Sequence, residues 1–223
     1  MKRILFTILV LMMAPAFICA QSIVGTKHDL GVGGGTVATD SVQVCVFCHT
    51  PHGSATAANQ VIPLWNKVTT AASFTMYNQT NNPNHQLQGV VDSSPTGASI
   101  ACLTCHDGTL SVAAVINPEG ATTAYTVTAI ASRIDATGKI ISNSNMGTDL
   151  TNDHPISITY LATDTGLNNP TGFTANTVQL FPSNAYNSKV QCASCHEVHS
   201  NTISPFLRKT MVDSALCTEC HAK

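Results

Sequence analysis

Eight of the nine cysteines fall into four pairs, each with two residues between the partners and a histidine directly after the second cysteine. The motif C-x-x-C-H therefore occurs four times and uses every cysteine except Cys19. Two thiols at this spacing add to the two vinyl groups of a haem, and the next residue brings an imidazole to the iron as the proximal ligand. We number the sites haem 1 to haem 4: Cys45, Cys48 and His49; Cys102, Cys105 and His106; Cys192, Cys195 and His196; Cys217, Cys220 and His221.

Two other uses of paired cysteines fit this pattern less well. Four-cysteine zinc ribbons place their two pairs about 15–20 residues apart, and the gaps between pairs are wider here. A disulfide framework is common in secreted proteins with an even number of cysteines. Neither zinc nor disulfide chemistry explains a histidine after every pair, so the fourfold repeat predicts four covalently bound haem c groups.

Five histidines lie outside the four motifs, and they are candidates for the second axial ligand of each iron. Four haems with two histidines each would need four of them, so the supply exceeds the demand by one. Methionine is the other common sixth ligand, and it remains possible at Met76, Met146 or Met211. The five histidines are His28, His52, His85, His154 and His199.

His52 and His199 each lie three residues after a proximal histidine. On a helical turn, residues three apart share a face, with Cβ atoms about 5–6 Å apart. The two axial ligands of one iron must approach from opposite faces of the porphyrin. We therefore expect neither histidine to complete the haem of its own motif, and each should reach a different haem nearby.

The sequence around these two histidines repeats. Each unit contains C-x-x-C-H-x-x-H, then a Pro-apolar-apolar-polar-Lys run, then a closing C-x-x-C-H. The runs are 63–67 and 205–209, and the units span about 45–106 and 192–221. Such a repeat predicts two haem pairs, haems 1 and 2 and then haems 3 and 4, joined by the cysteine-free segment 107–191.

The first 20 residues have the features of a signal peptide. Lys2 and Arg3 precede the apolar stretch 4–17, and Ile18 and Ala20 fit the cleavage positions. A membrane-spanning helix needs about 20 apolar residues, and a lipid anchor at Cys19 would need a small residue before it. We therefore expect a mature chain of 21–223 that is secreted to the cell surface or the extracellular space, or otherwise to the periplasm.

The composition predicts a fold with little regular secondary structure and with the haems as its core. Only 5% of the residues are aromatic and 10% are charged, and there is no basic run for nucleic acid. We expect mostly coil, short helices on the haem motifs and at 112–116, and a few strands. The alternating segment 123–130 could pair with 139–142. Backbone carbonyls should orient the proximal rings, as partners of metal-bound histidines commonly do.

Several stretches resemble multihaem cytochromes with doubled C-x-x-C-H motifs, and in particular the tetrahaem outer-surface cytochromes of the OmcE type, which polymerise into extracellular filaments. These stretches are Lys27-His28-Asp29-Leu30, CHTPHG at 48–53, PLW at 63–65, CLTCHDGT at 102–109 and 153–157. The resemblance implies bis-histidine haems in near-contact and one axial histidine passed between subunits. It also implies that the distal ligands are His28, His52, His154 and His199, with His85 as the spare or an alternative.

These observations lead to the expectation of an electron-transfer protein rather than an enzyme. A head-to-tail filament would bring haem 1 of one copy to haem 4 of another, so His52 is expected to bind haem 4 or a neighbouring terminal haem of the next subunit. His28 is the second candidate for this role, and His199 should serve haem 4 within its own chain. Other redox proteins or extracellular acceptors would be the partners. A soluble periplasmic shuttle is the alternative, and a multihaem reductase would need an iron with an open coordination position.

Overall fold

The structure, a computed structural model, describes residues 22–34, 38–55, 62–78, 80–83, 87–119, 125–130, 132–174, 177–182 and 188–222. Most of these residues lie in turns and coil, and the longest helix among them, Gly97–His106, has 10 residues. The prediction of mostly coil with short helices and a few strands is therefore confirmed. Short polar side chains contribute to this, because they bond to nearby backbone and compete with regular structure. Asp135, for example, accepts hydrogen bonds from the backbone N–H groups of Thr137 at 2.8 Å and Lys139 at 3.0 Å.

Each haem motif contains a helical turn, as predicted. In three motifs the histidine N–H donates to the carbonyl of the first cysteine, at 2.9 to 3.1 Å, which closes one turn around the two thiols. Gln191 begins the haem 3 helix with a reciprocal cap, since its side chain and that of Ser194 bond to each other's backbone. The α-helices are α1 (Gly97–His106), α2 (Cys192–Cys195) and α3 (Ala215–Cys220), and the 3-10 helices are Cys45–Phe47, Pro170–Gly172 and Val212–Ser214.

The strands form two small antiparallel sheets. One sheet pairs β1 with β2, and Thr39 lies opposite Val127. The other has the order β3, β5, β4, and Ile158 lies opposite Val190. The strands are β1 (Ala38–Thr39), β2 (Val127–Thr128), β3 (Ile158–Thr159), β4 (Phe181–Pro182) and β5 (Ser188–Val190).

Two local predictions are wrong. Strand β2 pairs with β1 rather than with 139–142, because a turn at Asp135 folds Ile140 back onto Ile134 instead. The segment 112–116 is not a helix. Its N–H groups bond outside the segment, since Val112 donates to Gly138 at 2.9 Å and the N–H of residue 116 donates to the carbonyl of residue 66 at 2.8 Å. In both cases other backbone partners, β1 for β2 and residues 66 and 138 for the segment 112–116, replaced the partners that the apolar pattern suggested.

The apolar side chains do not form one continuous core in the described part of the chain. They form three small clusters, which contain Phe47 with Tyr125, Val112 with Ile134, and Met76 with 103 and 150. The cysteines Cys48 and Cys105 pack against the first and second clusters. The predicted signal peptide lies outside the described residues, and within them no helix is both long and apolar enough to cross a membrane.

Candidate haem-binding sites

The two predicted repeat units fold alike around their proximal histidines. His49 forms an antiparallel bridge with Trp65, and His196 forms the same bridge with Leu207. Trp65 and Leu207 occupy the same position in the two Pro-apolar-apolar-polar-Lys runs. Positive φ angles recur at the preceding positions, Leu64 (58°) and Phe206 (57°). Because non-glycine residues rarely adopt this conformation, its recurrence shows that the sequence repeat is also a structural repeat.

Backbone carbonyls orient three of the proximal histidine rings, as predicted. In each case the Nδ1 atom of the ring bonds to a carbonyl oxygen, and this directs the Nε2 lone pair away from the backbone. The ring then presents Nε2 to a metal ion. The pairs are His49 with Pro63 at 2.9 Å, His106 with Ser144 at 2.7 Å, and His196 with Pro205 at 3.1 Å.

Three proximal histidines face a second histidine across a gap. The gap is similar in all three cases, although the angle between the ring planes varies from 18° to 89°. The ring centres are 6.2 Å apart for His49 and His199, 6.1 Å for His106 and His28, and 6.4 Å for His221 and His154.

These gaps fit a haem iron bound by two histidines. Two imidazole nitrogens at metal–nitrogen distances of about 2 Å on opposite sides of one ion put the ring centres roughly 6 Å apart. The rings must also be neutral to bind iron. Burial, and then the neighbouring His106, lower the pKa of His28 to about 4, and burial lowers the pKa of His196. The donor set therefore suits bis-histidine ligation of haems 1, 2 and 4.

Other features of the sites also suit a haem. None of the eight cysteines in the described residues forms a disulfide, so all of them are free for thioether bonds. The indole Nε1 of Trp65 is buried and has no hydrogen-bond acceptor in the described part of the chain. A buried N–H group normally has a partner, and a haem propionate is a suitable acceptor.

The partners of two predicted distal ligands differ from expectation. His199 was expected to serve haem 4, but its ring faces His49 of haem 1, and His154 faces His221 instead. His28 was the second candidate for ligation between subunits, but its ring faces His106 in the same chain. The cause lies in the tertiary fold, which brings the second repeat unit back against the first.

Three histidines remain outside these pairs. His196 has its Nδ1 atom bonded to a carbonyl, but no other histidine ring faces it among the described residues. His52 is exposed, and within the same described ranges its ring makes no hydrogen bond or ring contact. His85 lies outside the described residues. The distal ligand of haem 3 is therefore not identified by the pairs.

The motifs of haems 2 and 3 are in direct contact. The thiols of Cys102 and Cys192 are within hydrogen-bonding distance of each other, although the two motifs belong to different repeat units. The buried hydroxyl of Ser99 donates to the side-chain oxygen of Gln191 and accepts a hydrogen bond from the backbone N–H of Cys192 at 3.0 Å. Helices α1 and α2 are therefore held together at their cysteines.

Sequence reasoning did not identify three residues that support these sites. Asp29 is buried, and its carboxylate accepts hydrogen bonds from Gly25 and Gly31, which fixes the loop that presents His28. Phe206 lies against the His28 ring, with the ring centres 4.5 Å apart. Lys67 is buried beside the first two motifs. Lys67 left a signal in the sequence, since a lysine ends both repeated runs, and Asp29 and Phe206 lie in stretches that the sequence analysis singled out for other reasons.

Comparisons with known proteins agree with the chemistry of these sites. The family model of the doubled CXXCH motif matches residues 185–223, which contain the motifs of haems 3 and 4. No curated protein matches this chain. The doubled motif is that of multihaem c-type cytochromes, and it implies covalently bound haem c that serves electron transfer.

Proposed function

We propose that this protein carries electrons through four bis-histidine haem c groups as the subunit of an extracellular filament. In this filament His52 of one copy binds the iron of haem 3 in the next copy. Haem 3 replaces haem 4 as the expected target, because His154 already faces His221 of haem 4. Other redox proteins and extracellular electron acceptors are the proposed partners.

The observation that supports this proposal most directly is the contrast between His196 and His52. Within the described residues His196 faces no second histidine, whereas His52 is exposed and its ring makes no hydrogen bond or aromatic contact. The carbonyl of His52 accepts hydrogen bonds from Thr50 Oγ1 at 2.8 Å and Asn117 Nδ2 at 3.2 Å. These bonds fix the backbone at His52, so less backbone entropy is lost when the imidazole binds a partner.

A contact of this kind leads to an open filament. The donor and acceptor are different surfaces of the same chain, and a head-to-tail contact that does not close into a ring continues without limit. Only 10% of the residues are charged, so charge repulsion between copies is weak. Four covalent haems in each copy would make such a filament a continuous path for electrons, and the predicted signal peptide supports export.

The test is to replace His52 with alanine, with His85→Ala as the matched control. Intact mass under denaturing conditions should first show four covalent haems in both variants. His52→Ala should then give monomers in negative-stain microscopy and one high-spin haem in the spectrum, whereas His85→Ala should keep filaments and low-spin haems.

The other outcomes separate the alternatives. Filaments of normal length from His52→Ala would overturn the filament proposal. A high-spin haem in His85→Ala, with unchanged His52→Ala, would assign His85 to haem 3 and favour the soluble shuttle. Stoichiometric carbon monoxide binding by the reduced wild-type protein would mean that one iron has an open position, which a reductase requires.

A further inference from the structure

Lys67 and Lys209 occupy the same position in the two structural repeats, but their environments differ. Each lysine ends a Pro-apolar-apolar-polar-Lys run that lies beside a proximal histidine. Lys67 is buried, with 2% of its surface exposed, whereas the Lys209 side chain is 36% exposed. The repeat therefore places one cation inside the protein and the equivalent cation near its surface.

The Lys67 ammonium lies between the motifs of haems 1 and 2. Its Nζ atom donates to the carbonyl oxygens of Val112 at 2.7 Å and Ala114 at 2.8 Å. The same segment packs against both neighbouring motifs, since Cys48 contacts the cluster that contains residue 113 and Cys105 contacts the cluster that contains Val112. In the described part of the chain no carboxylate forms an ion pair with Lys67.

The backbone beside Lys67 is bonded to the haem 1 motif. The N–H of Asn66 donates to the carbonyl of Cys48 at 2.9 Å, and the Asn66 side chain donates to the carbonyl of Val46 at 2.6 Å. The buried Lys67 ammonium therefore lies beside haem 1, and the segment that it binds also contacts Cys105 of haem 2.

The second repeat lacks an uncompensated cation at the equivalent position. Lys209 forms an ion pair with Glu219, which lies inside the haem 4 motif and directly precedes Cys220. The two opposite charges offset each other, so the charge of this lysine acts on haem 4 only weakly.

We propose that Lys67 is a redox-tuning residue that makes haem 1 the high-potential end of the protein, whereas haem 4, where the equivalent Lys209 is paired with Glu219, has a lower potential. This inference rests on the proposed covalent haems at the four motifs. A ferric haem carries one more positive charge than a ferrous haem, so a buried cation favours the reduced state and a nearby anion favours the oxidised state. Electrons that enter at haem 4 then have their lowest free energy at haem 1.

The experiment is a potentiometric titration of the purified haem-loaded protein, with four haems confirmed by mass. In Lys67→Met the highest midpoint potential should fall by at least about 59 mV. This is a tenfold change in the equilibrium constant for reduction of a one-electron couple. Lys67→Arg keeps the charge, so its equilibrium constant for reduction should stay within threefold of the wild-type value. Lys139→Met removes the same charge beside the exposed Asp135 and is the matched control. The equilibrium constant for reduction in Lys139→Met should also stay within threefold of the wild-type value.

A second variant tests the other repeat and does not disturb Lys67. Glu219→Gln leaves Lys209 without its ion-pair partner, so its positive charge should raise a midpoint potential other than the highest by at least about 59 mV, a tenfold change in the same equilibrium. The inference is overturned if Lys67→Met moves the midpoints no more than Lys139→Met does, or if Glu219→Gln leaves every midpoint unchanged. If Lys67→Met binds fewer than four haems, the midpoint potentials of Glu219→Gln alone decide whether the inference stands. Filaments in wild-type samples are scored separately, so failure of the proposed function is recognised independently.

Discussion

A buried hydrogen-bond network joins the haem 2 helix to the haem 3 helix, and its removal should destabilise the protein. Ser99 in α1 has no exposed surface. Its hydroxyl donates to Gln191 Oε1 at 2.5 Å and accepts from the N–H of Cys192 at 3.0 Å. Ser157 donates to the same Gln191 oxygen at 3.2 Å. We predict that Ser99→Ala lowers the free energy of unfolding by about 2–4 kcal/mol.

This magnitude follows from what the substitution leaves unpaired. Cys192 is the first residue of α2, so its N–H has no acceptor within the helix. Loss of the Ser99 hydroxyl leaves this partly buried donor unsatisfied, which costs about 1–3 kcal/mol. Gln191 retains its bond from Ser157 and loses only one ordinary hydrogen bond, worth about 1 kcal/mol. The total is a large part of the roughly 5–15 kcal/mol that stabilises a typical domain.

The measurement is guanidinium chloride unfolding of haem-loaded protein, followed by far-ultraviolet circular dichroism. A pure stability change moves the midpoint and leaves the slope unchanged. Ser132→Ala is the matched control, because Ser132 is exposed and its hydroxyl makes no hydrogen bond within the described ranges. If Ser99→Ala and Ser132→Ala differ by less than about 0.5 kcal/mol, the range expected of surface substitutions, the network does not hold the helices together.

Three further substitutions test the histidine pairs and the packing of the first repeat. His28→Ala should create one high-spin haem that binds carbon monoxide, because its ring faces the proximal ligand of haem 2; four low-spin haems would refute this pair. His154→Ala should do the same at haem 4, and paramagnetic NMR should place the two vacancies at different haems. Asn66→Ala should lower the free energy of unfolding by about 2–3 kcal/mol, since Asn66 has no exposed surface and its side chain makes three hydrogen bonds to backbone. A loss below about 0.5 kcal/mol in the same unfolding assay would contradict this estimate.

The helical turns of the haem motifs could be predicted from the sequence because the chemistry of these motifs is local. Two thiols and an imidazole within five residues fit one helical turn, and the structure forms that turn in the described motifs. The matching bridges of His49 with Trp65 and His196 with Leu207 could also be anticipated, since the two repeated runs share their polar and apolar positions. The coil content followed from the abundance of short polar residues.

The partners of the distal histidines could not be derived from the sequence. His49 and His199 are 150 residues apart, and only the folding of one repeat against the other brings their rings together. The two axial ligands of one iron lie on opposite faces of the porphyrin, and this excluded haem 3, the haem of His199's own motif, as the partner of His199. It could not choose among the other three haems. The expectation of haem 4 relied on closeness in sequence, which the tertiary fold overrides.

Ligation of haem 1 by His199 of the second repeat would have a consequence for the path of electrons. His196 and His199 are three residues apart and would bind different irons, and three residues span at most about 11 Å. In the proposed arrangement haem 3 would therefore lie close to haem 1 within one chain. His49 and His52 have the same spacing. If His52 binds haem 3 of the next copy, haem 1 lies equally close to that haem. In the proposed filament the H-x-x-H spacing therefore limits the distance between haem 1 and haem 3 both within a subunit and between subunits.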